Sequence, residues 1–226
     1  MNIYTSGMLK AYTECPAKYN LIYNDQVQIP SDNSYAEIGN QIHALINYYY
    51  KGHDINNMTG FVDSGKVPVL KELWDNFLEI KPENVIESEY VFNIKLSVNT
   101  MLTGRVDGIF KSGKNIIIAD WKTGSENINY EKDFQTRVYL YSVYVLLKEY
   151  GKIQNFEDLS IVYYFLKTKN KKQVKLSRQY FMQTEQDIIL LTNIITADNQ
   201  YKKSDTADCR NCRYQNLCLS SLGSYK

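Results

Sequence analysis

Asp120 and Lys122 close an apolar run, Ile116-Ile117-Ile118-Ala119-Asp120-Trp121-Lys122, that otherwise reads as a buried strand. Strand side chains alternate, so this carboxylate and this ammonium leave the backbone on the same face. Charges at such a place are costly to desolvate unless something uses them. The pair suits chemistry on a phosphate. A carboxylate can hold a divalent cation, and a lysine can stabilise negative charge developing on phosphorus. The bland alternative is a strand end reaching solvent, where charged residues are ordinary.

Just upstream, Met101–Lys111 (MLTGRVDGIFK) reads as a second strand, and Lys111-Ser112-Gly113-Lys114-Asn115 supplies the turn of an antiparallel hairpin. Asp107 lies inside it between Val106 and Gly108, and an acid so placed needs a partner or a metal. Pairing of the two strands would bring Asp107 near Asp120, where two acids repel unless a cation sits between them. Gly104 and Gly108 predict a bulge or the close approach of another backbone. Gln135 and Tyr139 stand at i and i+4 in a helix-like stretch from about Tyr130 to Glu149, and so share one face.

Together these residues resemble the PD-(D/E)XK nuclease superfamily in its RecB-type branch. Val106-Asp107 stands where the family name has Pro-Asp, Asp120-Trp121-Lys122 matches the (D/E)XK element, and Gln135-x-x-x-Tyr139 matches the helical QxxxY motif. An early histidine after a glycine also fits, as Gly39-x-x-x-His43, on a segment with Ile38, Ile42, Leu45 and Ile46 at helical spacing. Taken alone, a histidine on a helix is more often a satisfied core or boundary residue. The resemblance instead implies that His43, Asp107 and Asp120, with the carbonyl of Trp121, hold Mg²⁺ or Mn²⁺. Such a cation lowers the pKa of a bound water and polarises the scissile phosphate. It further implies that Lys122 stabilises the transition state, and that Gln135 and Tyr139 orient the substrate backbone or support Lys122. Glu89 alternates with apolar residues on a strand where many relatives carry an acid. It either orients a metal-bound water or faces solvent, and it stays outside the catalytic set. His53, in a polar loop, receives no role.

The four cysteines form an independent signal. Cys209 and Cys212 make a CxxC, Cys218 follows after five residues, and Cys15 stands far upstream before Pro16. With no signal peptide, apolar spanning segment or lipidation motif, the expected location is a reducing cytoplasm, away from membranes. Disulfides are disfavoured there, and CxxC spacing suits a metal site. Spacing does not separate zinc from an iron–sulfur cluster. A lone early cysteine with a late Cx2Cx5C resembles the iron–sulfur staple of AddB and of the CRISPR adaptation exonucleases, which implies a structural [4Fe-4S] cluster, with zinc as the alternative.

The formal net charge of +1 provides no global electrostatic pull on nucleic acid, so any footprint must be local. The most basic stretch, Lys167–Lys175, reads as a hairpin tip that is more simply a solvated turn than a phosphate grip. No GxxxxGK[ST] loop is present, so a helicase motor would come from a partner. The resemblance implies a DNA nuclease, an exonuclease acting on ends or on single strands, with protein partners in a CRISPR adaptation or a recombination and repair complex. The rival from another class is a non-catalytic DNA-end-binding module of a larger nucleoprotein assembly.

Element order predicts an α/β fold: a restriction-endonuclease-like core with a central mixed sheet flanked by helices, within one domain over 1–226. Helices are expected from a Ser6 cap to Glu14, through Tyr19–Tyr23, and over Tyr35–Tyr50, Val69–Leu78, Tyr130–Glu149 and Thr184–Tyr201. Strands are expected at Val85–Leu96, Met101–Lys111 and Asn115–Trp121, with a second hairpin of Leu159–Leu166 and Gln173–Tyr180. Gly52–Gly65 lacks periodicity and reads as a loop.

Overall fold

The computed structural model describes residues 1–30, 34–54, 67–124 and 126–222, so most of the expected Gly52–Gly65 loop lies outside the described residues. The chain forms two compact units. The first gathers Met1–Ser31, Lys95–Thr103 and Glu185–Lys226, and the second gathers Asp32–Ile94 and Gly104–Thr184.

The second unit is built around strands β2 (Val85–Ser97), β3 (Thr100–Ser112), β4 (Asn115–Lys122), β5 (Leu159–Phe165) and β6 (Lys171–Lys175). The sheet is mixed: β3 and β4 are antiparallel, β4 and β5 parallel, and β5 and β6 antiparallel, with β2 against β3. The β3–β4 hairpin pairs Ser112 with Asn115, and Gly113 supplies the left-handed residue of the tight turn at φ +61. Parallel β4 and β5 need a crossover, which contains α5 (Phe134–Glu149). All seven residues of β5 are buried, as befits a strand covered on both faces.

Helices α3 (Ser34–Tyr50) and α4 (Val67–Ile80) bury Ile42, Ile46, Leu73 and Phe77 in one cluster with Trp121 and Tyr164. The Trp121 ring stands edge-on to Phe77 and lies 4.9 Å, centroid to centroid, from the ring of Tyr164. Alternation therefore sends Ala119 and Trp121 into this core and turns Asp120 and Lys122 to the opposite face. On that face Tyr163, the β5 partner of Asp120, shares a 2.7 Å hydroxyl contact with Thr136 of α5.

The first unit contains β1 (Asn2–Tyr4), paired parallel with Thr100–Leu102, the sixth strand of the sheet. Helices α1 (Ser6–Glu14) and α2 (Pro16–Tyr19) follow, continuing into a π-helical turn over Asn20–Asn24. Most of α6 (Arg178–Ala197) and all of α7 (Gln215–Leu222) also belong to this unit. Tyr12 donates to Asp198 at 2.7 Å, the Tyr4 and Thr196 hydroxyls meet at 2.8 Å, and the ring of Tyr19 stacks on Tyr201.

Several expected boundaries move, each for a local reason. Thr5, not Ser6, caps α1, because its hydroxyl accepts the Met8 N–H. The last strand stops at Lys175 rather than running to Tyr180, since the Ser177 hydroxyl accepts the Tyr180 N–H and starts α6 there. That helix ends at Ala197, where the Asp198 carboxylate takes the N–H groups of Gln200 and Tyr201 into a turn. Helix α5 begins at Phe134 rather than Tyr130, after a turn in which Asn129 accepts from Lys132 and Asp133. Helix α7 has no counterpart among the expected elements. Gly104 and Gly108 make room for aromatic rings rather than another backbone: Phe92 lies over Gly104, and a Cβ at Gly108 would sit 2.6 Å from the ring of Phe110.

Candidate active site

Three elements of the second unit deliver the polar groups that the sequence singles out. The hairpin brings Asp107 alongside the end of β4, where its Oδ2 accepts the Trp121 N–H at 2.8 Å. From α3, His43 places Nδ1 3.3 Å from Asp107 Oδ1 and Nε2 2.9 Å from the Trp121 carbonyl oxygen. Lys122 Nζ lies 2.8 Å from Asp120 Oδ1. On α5, Gln135 donates to the Tyr139 hydroxyl at 2.7 Å, and the Tyr139 ring meets Phe92. His43, Asp107, Asp120, the Trp121 carbonyl and Lys122 are thus drawn together.

Asp120 is only 4% exposed, and burial together with the charge of Asp107 lifts its pKa well above the carboxylate range, against the opposing pull of Lys122 and His43. Its Oδ1 is a buried oxygen with no hydrogen bond of good geometry, the Lys122 ammonium meeting it as a charge rather than a directed donor. Burial pulls the His43 pKa down, but the hydrogen bond to Asp107 and the nearby carboxylates outweigh it and leave the value raised. Burial likewise works against protonated Lys122, and Asp120 more than offsets it. The ammonium also stands 5.4 Å from the centre of the Tyr163 ring.

Such a surplus of carboxylate and carbonyl oxygen with one imidazole is the donor set of a hard divalent cation. Neighbouring ligands of an octahedral ion with bonds of about 2.1 Å lie about 3 Å apart. His43 Nε2 and the Trp121 oxygen stand 2.9 Å apart, held side by side by a hydrogen bond. Ligand atoms of His43, Glu89 and Asp107 all lie within 4.8 Å of one another. Glu89, kept outside the catalytic set on sequence grounds, therefore joins the site, while Asp120 faces Lys122.

Glu89 sits in β2 at φ +55, a left-handed conformation that a side chain resists and that marks a local break in the pleat. Arg105, which sequence reasoning overlooked, places Nε 2.6 Å from Glu89 Oε2. A signal was present: Arg105 precedes Asp107 by two residues, the spacing that puts both on one strand face. The lysines of Lys167–Lys175 are partly engaged within the second unit, Lys169 reaching Glu79 at 2.9 Å and Lys172 the Glu126 carbonyl.

In the first unit, Cys15, Cys209, Cys212 and Cys218 line one cavity of ≈ 350 Å³. Cys15 sits at the break between α1 and α2, ahead of Pro16. Cys209 and Cys212 share a turn closed by a 3.3 Å backbone hydrogen bond, and Cys218 lies in α7. None of the four forms a disulfide among the described residues. Burial, then the neighbouring Cys15, raises the Cys218 thiol, while Lys203 works the other way.

No helix among the described residues is long and apolar enough to cross a membrane. No curated protein matches the sequence. Among solved structures, one from Eubacterium rectale, provisionally named an exonuclease, superposes with a TM-score of 0.53 at 9% identity, covering 92% of this chain and 87% of that one. A second, SSO0001, gives 0.48 at 12% identity over 97% and 86% of the two chains. The first likeness speaks for the fold alone. The sequence itself matches the PD-(D/E)XK nuclease superfamily over residues 6–219, and on that match the chain belongs to the PD-(D/E)XK nuclease superfamily.

Proposed function

We infer that this chain is a divalent-metal-dependent DNA nuclease whose hydrolytic centre is formed by His43, Asp107, Asp120, the Trp121 carbonyl and Lys122, with Glu89 as a further carboxylate. The observation that carries the reading is that His43, Asp107 and the Trp121 backbone meet at 2.8–3.3 Å from α3, β3 and β4, with the 2.8 Å Asp120–Lys122 pair on the residues flanking Trp121. A bound Mg²⁺ or Mn²⁺ would supply Lewis acidity and a water of lowered pKa. Asp107 has two tasks, one oxygen orienting the Trp121 N–H and the other facing His43, so it also fixes the end of β4. Lys122, kept protonated by Asp120, holds a positive charge where a phosphorane-like transition state gains negative charge. Gln135 donates to the Tyr139 hydroxyl, and in this reading the pair orients the substrate backbone or supports Lys122.

Within this reading the substrate is DNA with a single-stranded end, the cut is exonucleolytic, and the chain acts as one domain, a reading supported by a family match that runs from 6 to 219. The four cysteines would hold a structural [4Fe-4S] cluster, a reading supported by their shared cavity. The resemblance of the cysteine spacing to that of AddB and the CRISPR adaptation exonucleases supports a role in CRISPR adaptation or recombination and repair, in a reducing cytoplasm. Purified protein should degrade labelled DNA with Mn²⁺ or Mg²⁺ and not with chelator. Asp120→Ala and Lys122→Ala should each lower the rate by about 10²–10³-fold or more. Cleavage that survives both substitutions would overturn the assigned centre, and DNA binding with no cleavage under any condition would leave only an end-binding module. Anaerobic preparations containing zinc and no iron would remove the cluster.

A further inference from the structure

Beside the cation ligands lies an open cavity of ≈ 440 Å³, lined among others by His43, Asn47, Tyr48, Glu89 and Arg105. Arg105 is the one permanent cation among its lining residues, so an anion entering there meets this guanidinium. The two partners of the Glu89–Arg105 pair differ in freedom. The glutamate side chain is 15% exposed and set by a left-handed backbone, whereas the arginine is 63% exposed on a long flexible stem.

We propose that Arg105 is a clamp for a phosphate of the DNA chain, held in reserve by Glu89 until a divalent cation takes over that carboxylate. The inference rests on the nuclease reading and adds to it a residue that reads the backbone of the substrate. Glu89 has ligand atoms close to those of His43 and Asp107, so a cation held by these groups would compete directly with the guanidinium. A doubly charged ion at bonding distance outcompetes a half-exposed single charge. Once released, Arg105 offers a planar fork that matches two oxygens of a phosphate. Exchange leaves every charge partnered: Glu89 passes from guanidinium to cation, and Arg105 from carboxylate to phosphate. Productive DNA binding thereby becomes contingent on the metal. Contact with a phosphate carries no base preference, so the clamp acts on any sequence.

The experiment measures anisotropy of fluorescent oligo(dT) with Ca²⁺, checking by gel that the strand stays intact, across a salt series. Mn²⁺ binding without DNA is followed in parallel by the loss of the free-ion EPR signal. Arg105→Ala should weaken oligo(dT) binding about 10-fold. It should also lower the slope of log K against log salt by about 0.7, the share of one phosphate on a single strand. Arg105→Lys keeps the charge and should restore the slope. Glu89→Gln should weaken Mn²⁺ binding and, by freeing Arg105, make oligo(dT) binding without a divalent cation tighter than in the wild type. An unchanged affinity and slope in Arg105→Ala, with wild-type binding intact, overturns the clamp alone. The clamp is equally overturned if Arg105→Ala weakens Mn²⁺ binding as much as Glu89→Gln does, because the arginine would then only scaffold the acid. If the wild-type protein neither binds nor cuts DNA, the nuclease reading itself falls.

Discussion

The two clusters of candidate ligands in this protein are built in opposite ways. In the second unit, His43, Asp107 and the Trp121 carbonyl are held by a long helix and a hairpin packed on a buried aromatic core, and they already contact one another. In the first unit, the thiols come from the α1–α2 break, a short turn and an eight-residue helix, with three of the four only half-buried. The difference teaches which site needs its ion to exist. A site on packed strands and helices is pre-organised, and its metal adds chemistry. A site on short elements gains folding energy from ligation itself.

The strongest challenge to that contrast is removal of one candidate ligand from each cluster in turn. Cys209→Ser should cost on the order of several kcal/mol, and amide exchange in residues 1–30 and 185–222 should rise by orders of magnitude. Asp107→Asn should leave exchange in the core of β4 and β5 within about tenfold, because their apolar packing is untouched. Equal exchange responses in the two units would erase the distinction.

A second, intermediate effect concerns pH. Asp120 and His43 both have folded pKa values above their ordinary ones. Asp120 therefore retains a proton in the folded state that the unfolded chain sheds above about pH 4, so its contribution falls as pH rises through the folded value. His43 contributes fully below about pH 6.5 and loses that contribution as pH rises through its own raised value. Melting temperature without added metal should thus decline across about pH 4–7, and the rise produced by Mn²⁺ should grow over the same window. A Mn²⁺-induced shift independent of pH would contradict this balance. The smallest effect sharpens the claim that the second unit is tightly packed. Gly104→Ala collides with the Phe92 ring and should cost about 1–3 kcal/mol, with Phe92→Leu recovering part of it. Wild-type stability in Gly104→Ala would mean the ring moves freely.

Much of this architecture is legible directly in residue types. The apolar run ending in Asp120-Trp121-Lys122, the Gly113 turn and the helical spacing around His43 each correspond to an observed element, because local periodicity and turn chemistry act within a few residues. Boundaries are less legible at Ser177 and Asp198, where one side chain capturing a nearby N–H decides between strand, helix and turn.

From the sequence alone came the candidate ligands and their order along the chain, since hard oxygen donors, an imidazole and four thiols declare their chemistry by type. Their distances were not written there. Whether Glu89 faces solvent or His43 depends on a left-handed residue in β2, and Arg105 gains meaning only from lying beside it. The first relation depends on the packing of α3 against the sheet, and the second on the pairing of β2 with β3.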